Sequence, residues 1–310
     1  MAPRAPRNRT LTLSEDEREH FAARLLRPDG PLPPDRLRGR TIHADLLEIQ
    51  AWLPESFADL VFLDPPYNLS KTYGARSFRR LPPKRYAAWV ERWLPGIVRT
   101  LQPTASLYFC ADWRTSPLVY PLLARHLIVR SRITWEREKG RGARRNWKNA
   151  SEDIWFCTRS DDYTFNVDAV KLRRRVHAPY RSAEGEPKDW QHDEAGRFRL
   201  THPSNLWTDL SVPFWSMPEN TDHPAQKPEK LLARVILASS SPDDLVFDPF
   251  LGSGTTSVAA RKLGRHYVGV EIDETYCCLA EKRLALADQD PRIQGYHDGM
   301  FWERGSQPRR

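Results

Sequence analysis

The stretch Phe247-Asp248-Pro249-Phe250-Leu251-Gly252-Ser253-Gly254-Thr255-Thr256 constrains the fold of this chain more than any other. It joins the apolar run Leu245-Val246-Phe247 to a segment of helical character at 255–263, and a second apolar run, Tyr267-Val268-Gly269-Val270, follows and ends at Glu271. Glycines at the end of a strand carry no Cβ and let the backbone come close to a ligand. The helix that begins there points its free N–H groups at the same place. Strand, glycine turn, helix and strand make a βαβ unit, so a largely parallel sheet is predicted. An acid at the end of the second strand can take both hydroxyls of a ribose. Asp248, Pro249, Phe250, Gly252, Ser253, Gly254, Thr255, Glu271 and Ile272 are therefore candidate contacts to a nucleoside cofactor.

Two phosphate-binding patterns do not fit. No Gly-Lys-Ser/Thr follows the glycines, so this is not a P-loop. Position 257 is Ser, so the full G-x-G-x-x-G of dinucleotide sites is missing. Asp248 precedes the glycines, and a carboxylate there would repel a pyrophosphate but suits a cationic amino-acid tail. The pattern points to S-adenosyl-L-methionine rather than NAD. A tight turn beside an unrelated surface acid is the plain alternative; loop, helix and acid together favour the cofactor.

A second motif is Leu63-Asp64-Pro65-Pro66-Tyr67-Asn68, in which the apolar run 58–63 stops at an acid, two prolines and an aromatic. The prolines fix φ and leave carbonyls that accept hydrogen bonds without an N–H of their own. Asp64 adds a carboxylate, and Tyr67 offers a flat face. Such a group accepts hydrogen bonds from an NH2 and stacks on the ring that bears it. Asp64, Pro65, Pro66 and Tyr67 are the candidate catalytic residues. A Pro-rich loop capped by an acid would look the same in isolation.

Regular patterning is otherwise confined to two blocks. Residues 1–38, rich in Pro and Arg, read as a flexible arm with one short helix near 15–26. Strands are expected at 41–45, 58–63, 105–109 and 128–135. One amphipathic helix is expected over 86–101, with Trp89, Trp93, Ile97 and Leu101 at helical spacing, and another over 118–126. From 136 to 222 the chain is polar and rich in Trp and Arg, with apolar runs only at 153–157 and 163–165. It reads as the end of the sheet plus a lobe of loops. Helices return at 229–239 and 276–288. The expected division is an arm (1–38), a catalytic domain (39–135 and 223–290), a target-recognition region (136–222) and a tail (291–310). The fold class is α/β, doubly wound and Rossmann-like.

The motifs now support a resemblance. Asp64–Tyr67 is similar to the D-P-P-Y motif of DNA amino-methyltransferases, and 248–254 to their S-adenosylmethionine motif. His223-Pro224-Ala225-Gln226-Lys227-Pro228 resembles the H-P-x-Q-K-P segment before it, which adds Lys227 to the candidate cofactor contacts. Asp45 matches the acid that faces the cofactor adenine. The catalytic motif precedes the cofactor motif, the circularly permuted order of the β group. Leu251 stands where the family often has Ala, a departure of no expected consequence. The resemblance implies methyl transfer to an exocyclic amino group of a flipped base. Asp64 favours adenine N6, since cytosine N4 enzymes usually carry Ser there. An RNA or protein amide methyltransferase, or an inactive nucleic-acid-binding module, is the more distant alternative.

Composition bears on partners. A hydrophobic share of 40% argues against global disorder. Lys plus Arg total 48 against 40 acids, a balance of +8 that suits a polyanion but equally a solvated basic surface. The best candidate DNA contacts are Arg137, Lys139, Arg141, Arg144, Arg145 and Lys148, with the run 171–175 second. Trp147, Trp190, Trp207 and Trp215 are expected to pack, and His177, His192 and His202 to be structural or exposed. Cys110, Cys157, Cys277 and Cys278 have neither metal nor disulfide spacing, so no metal is expected. No apolar run is long enough for a bilayer, and a cytoplasmic, nucleoid-associated protein without a membrane partner is expected. The expected partner is double-stranded DNA. The resemblance also implies a homodimer and is compatible with a cognate restriction endonuclease.

Overall fold

Eight strands form the central sheet: β1 (Arg40–His43), β2 (Ala58–Leu63), β3 (Leu101–Ala111), β4 (Ile128–Glu136), β5 (Ser151–Thr158), β6 (Leu206–Trp207), β7 (Leu245–Asp248) and β8 (His266–Glu271). In space they run β1-β8-β7-β2-β3-β5-β4-β6. All neighbours are parallel except those of β5, which runs against both β3 and β4. The computed structural model describes residues 5–74, 76–137, 145–177, 179–194 and 196–304.

The middle strand explains the apolar run at 58–63. Leu60 and Phe62 pack on one face with Leu231, Leu232 and Val235 of the helix Glu229–Ser239. Val61 and Leu63 pack on the other with Tyr86, Val90 and Ile97. A parallel strand covered on both faces is apolar throughout. Each such side chain contributes about 1.5–3 kcal/mol on burial. The loop that follows β2 therefore grows from a rigid base.

Four sequence expectations need correction. The helix over 86–101 is two helices, Pro83–Glu91 and Leu94–Thr100, with Leu101 already in β3. Pro95 has no N–H to continue the first helix but is well suited to the start of the second. The arm is not free: Glu15–Ala22 is a capped helix, with a reciprocal Ser14–Glu17 box. Phe21 and Leu25 pack against Cys277 and Cys278, and the Leu26 N–H donates to the Thr41 carbonyl at 2.9 Å. The region 136–222 supplies the end of the sheet as expected, in β5 and β6, but the rest of it is not a lobe of loops. It also gives Leu172–Arg175, Gln191–Asp193 and Gly196–Thr201 to a second sheet of five strands. That sheet takes Tyr296–His297 and Met300–Trp302 from the expected tail, with Phe301 wholly buried.

Candidate active site

The parallel strands all end on one edge, and their last residues bring the acids together. Asp45 follows β1, Asp64 follows β2, and Asp248 and Glu271 close β7 and β8. Ligands of open α/β sheets bind outside this carboxyl edge. A cleft of about 640 Å3 lies there. It is lined by Asp64, Pro65, Pro66 and Tyr67, and by every candidate cofactor residue except Gly254. Gly254 has φ +83° and caps the helix Thr255–Lys262. A Cβ there would lie 2.5 Å from the Ala280 Cβ, so close helix packing accounts for this glycine.

Glu271 is held by the backbone. Its carboxylate accepts from the N–H groups of Gly252 at 2.8 Å, and of Ile272 and Asp273 at 2.9 Å. Burial raises its pKa in spite of them. Each oxygen keeps lone pairs for a donor such as a ribose hydroxyl. Gly252 has φ +54°, and a Cβ on it would meet the His223 ring at 3.0 Å. The peptide chain is thus drawn tight around the acid. Asp248 accepts from the Thr256 hydroxyl at 2.5 Å and from the Phe250 N–H at 3.0 Å. Burial, with Asp64 and Glu271 nearby, pushes its carboxyl up to about 7. Asp45 caps Leu46–Ile49 through the Leu47 N–H.

On the other side of the cleft each Asp64 oxygen has a donor. Tyr67 donates to its Oδ1 at 2.9 Å, and the Lys227 ammonium to its Oδ2 at 2.5 Å. Lys227, expected with the cofactor contacts, is therefore bound to the Asp64 group. Glu152 completes the cluster and was not foreseen. It is 2% exposed, lies 3.0 Å from the Tyr67 hydroxyl and 3.4 Å from the Lys227 ammonium, and pairs with Arg137. Burial disfavours its charge, but Lys227 and Arg137 outweigh that and hold its carboxyl below the usual range. Burial likewise works against Lys227, and the two carboxylates raise it above an ordinary lysine. Among the described residues nothing donates to the Pro65 carbonyl, whereas that of Pro66 accepts from the Tyr86 hydroxyl at 3.0 Å.

Phe250 projects against Trp93, ring centres 4.9 Å apart, and gives the cleft an aromatic wall. His223 also lines the cleft, edge-on to Tyr276 at 4.5 Å. Burial, with Lys227 and Lys71 close by, lowers it to about 3, so the imidazole is neutral at ordinary pH. The H-P-x-Q-K-P match was the only sequence signal for it.

The candidate DNA residues divide. Arg137 reaches into the cleft, Arg145 is exposed and Lys148 half-buried, while Lys139, Arg141 and Arg144 lie outside the described residues. In the second run, Arg173 is buried, bonded to both Asp193 oxygens at 2.7 Å and sandwiched between Phe198 and Trp302. It holds the second sheet together. Trp190 and Trp207 pack as expected, but Trp215 is 51% and Trp147 95% exposed. Among the described residues no cluster of His, Cys, Asp and Glu could hold a metal. No helix there is long and apolar enough to cross a membrane.

A family model described as DNA methylase (N6_N4_Mtase) matches residues 58–282. The chain belongs to this family, and it is a DNA methyltransferase of the N6/N4 amino-methyltransferase class. The Type II methyltransferase M.HpaI of Haemophilus parainfluenzae is 32% identical over 248 residues, covering 79% of this chain and 74% of the relative. The DNA adenine methyltransferase YhdJ of Escherichia coli K12 is 31% identical over 253 residues, covering 79% and 82%. Two solved structures share the fold. The PvuII DNA methyltransferase (cytosine-N4-specific) has a TM-score of 0.58 at 19% identity, over 79% of this chain and 86% of that one. The M1.HpyAVI-SAM complex has a TM-score of 0.52 at 23% identity, over 79% and 98%.

Proposed function

We propose that the enzyme methylates the N6 amino group of adenine in double-stranded DNA after the base has left the duplex. The observation that carries this reading is one cleft holding both the Asp64–Tyr67 loop and the Asp248–Glu271 pair. S-adenosylmethionine is the methyl donor and supplies an electrophilic methyl group when bound. The residues present fit it. Glu271, Gly252 and Ile272 suit its ribose, Asp248 its cationic tail, and Phe250 and Asp45 its base.

An aromatic amino nitrogen is a poor nucleophile because its lone pair is delocalised into the ring. Asp64 and the Pro65 carbonyl can accept its two hydrogens and draw it toward tetrahedral geometry. Tyr67 offers a ring face for the extruded base. Catalysis then rests on positioning and electrostatics. It requires no covalent nucleophile, and burial raises the pKa of all four thiols. Adenine is favoured by Asp64 and by the likeness to a relative named as an adenine methyltransferase. A homodimer and a cognate restriction endonuclease are further proposals that rest on the family alone. Light scattering at micromolar concentration tests the first, and a neighbouring nuclease gene the second.

Nucleoside mass spectrometry of DNA methylated by the purified enzyme tests the target. N6-methyladenine is expected. N4-methylcytosine alone would overturn the choice of base, and transfer of labelled methyl to RNA or protein but not DNA would overturn the choice of substrate.

A further inference from the structure

Glu152 is a buried carboxylate to which the methyl transfer assigns no part. It is the second residue of β5, paired in register with Trp135 of β4. Because β5 runs opposite to its neighbours, it starts at the very edge where the parallel strands end. That places a carboxylate beneath Tyr67. A buried carboxylate is costly unless paired, and this one has three partners. Arg137 takes Oε1, and the Tyr67 hydroxyl and Lys227 ammonium lie on Oε2 at 3.0 and 3.4 Å.

The same two groups also occupy both oxygens of Asp64, at 2.9 and 2.5 Å. A phenol has one proton and cannot donate to two carboxylates at once. Tyr67 thus has two nearly equidistant acceptors and serves one at a time. Lys227 stands between the same two carboxylates, closer to Asp64. The cluster as found puts a donor on each Asp64 oxygen, so the target amino group must share an oxygen with one of them or displace it.

We propose that Glu152 is a positioning residue, the alternative acceptor that takes the Tyr67 hydroxyl and the Lys227 ammonium when the target amino group claims Asp64. The inference rests on Asp64 acting as acceptor for the target amino group and holds for either base. No covalent bond changes and no proton leaves the tyrosine; hydrogen bonds exchange partners. Charge supports the arrangement. Asp64 and Glu152 balance Lys227 and Arg137. Without the charge of Glu152, Lys227 has only Asp64 to hold and competes with the incoming amino group. Arg137, which follows β4, ties the alternative acceptor to the segment leading into the basic run 137–148.

The test uses single-turnover methylation of duplex DNA by the full chain saturated with S-adenosylmethionine. Glu152→Gln keeps the shape and one acceptor but loses the charge. Its rate should fall roughly tenfold or more while cofactor affinity stays within about twofold. Lys227→Gln and the double variant complete a cycle. If the two residues act on Asp64 together, the double variant loses no more than the worse single one. Glu152→Gln with Arg137→Gln removes one charge of each sign, guards against failure to fold, and at saturating DNA, which sets aside any contact Arg137 makes to the duplex, should show the same fall. A rate within about twofold of wild type in Glu152→Gln and in its pair with Arg137→Gln, or losses that multiply in the cycle with Lys227→Gln, would overturn the proposal. A wild-type enzyme that methylates no DNA would instead overturn the function from which it starts.

Discussion

Lys227 and Asp64, 163 residues apart in the chain, meet at 2.5 Å, with the lysine side chain 6% and the aspartate 15% exposed. The pair joins the segment 223–228 to the loop after β2, the proposed catalytic loop. Asp64→Asn should therefore leave cofactor affinity unchanged by calorimetry and lower turnover by about 100-fold or more. Removing the carboxylate altogether leaves the buried ammonium with Glu152 as its remaining carboxylate. Asp64→Ala should lose stability as well, by about 1–3 kcal/mol in a denaturant titration.

The two acids proposed to hold the cofactor, Glu271 and Asp248, should be separable by ligand. Adenosine carries the ribose but no amino-acid tail. Glu271→Gln should weaken adenosine and S-adenosylmethionine alike, by roughly 10–100-fold, since hydrogen bonds to a charged group contribute about 1.5–3 kcal/mol. Asp248→Asn should weaken only the latter. Equal losses for both ligands in both variants would refute the assignment.

Asp248 also sets a pH dependence. Its carboxyl is raised from an ordinary 3.8 to about 7, burial being the chief cause. The folded form without ligand therefore binds a proton more readily than the unfolded chain. The resulting stability is complete in acid, below 3.8, and is lost as pH rises through about 7. A cation bound beside it favours the ionised form. Affinity for S-adenosylmethionine should rise with pH through about 7, with proton release detectable by calorimetry in two buffers. Asp248→Asn should flatten that profile.

The main strands could be read from the sequence because each carries its own evidence. The run at 58–63 is apolar on both faces, and the loops after β2 and β7 hold residues whose chemistry is local. Glu152 was invisible for the opposite reason. Its place beside Tyr67 and Lys227 follows from the direction of β5, and direction is a property of pairing that no local pattern states. Ser151-Glu152-Asp153 looks like any polar start to a strand. The docking of Phe21 and Leu25 was hidden likewise, since one apolar residue on a charged helix and one just after it gain meaning only beside Cys277 and Cys278. Pro95 was legible, and the helical spacing of Trp89 and Trp93 before it with Ile97 and Leu101 after it obscured it.

DNA affinity should depend steeply on salt. Replacing Arg145, and Arg144 which lies outside the described residues, by Ala should lower the slope of log affinity against log salt by about 0.9 for each phosphate that is no longer neutralised. An unchanged slope would place the phosphate-binding residues elsewhere.

Trp147 is the most exposed large apolar residue described, at 95%, two positions before Asn149, which lines the cleft. An aromatic so placed is suited to fill the gap left by an extruded base. Trp147→Ala should slow methylation of a matched duplex. A mismatch opposite the target should restore much of the rate, because an unpaired base costs less to extrude. A loss identical on both substrates would count against that role.

The junction of β4 and β5 has a longer reach. Glu136 pairs with Ser151, so the segment 137–150 leaves and re-enters the sheet at adjacent, hydrogen-bonded positions. A hairpin closed at its base separates the length and composition of its tip from the geometry of its stem. Duplications, deletions or exchanges of sequence in that tip are buffered from β3 and from the loop after β2. If the connector carries the DNA contacts expected of its basic residues, such an enzyme can change the sequence it reads by drift there while its chemistry is inherited intact.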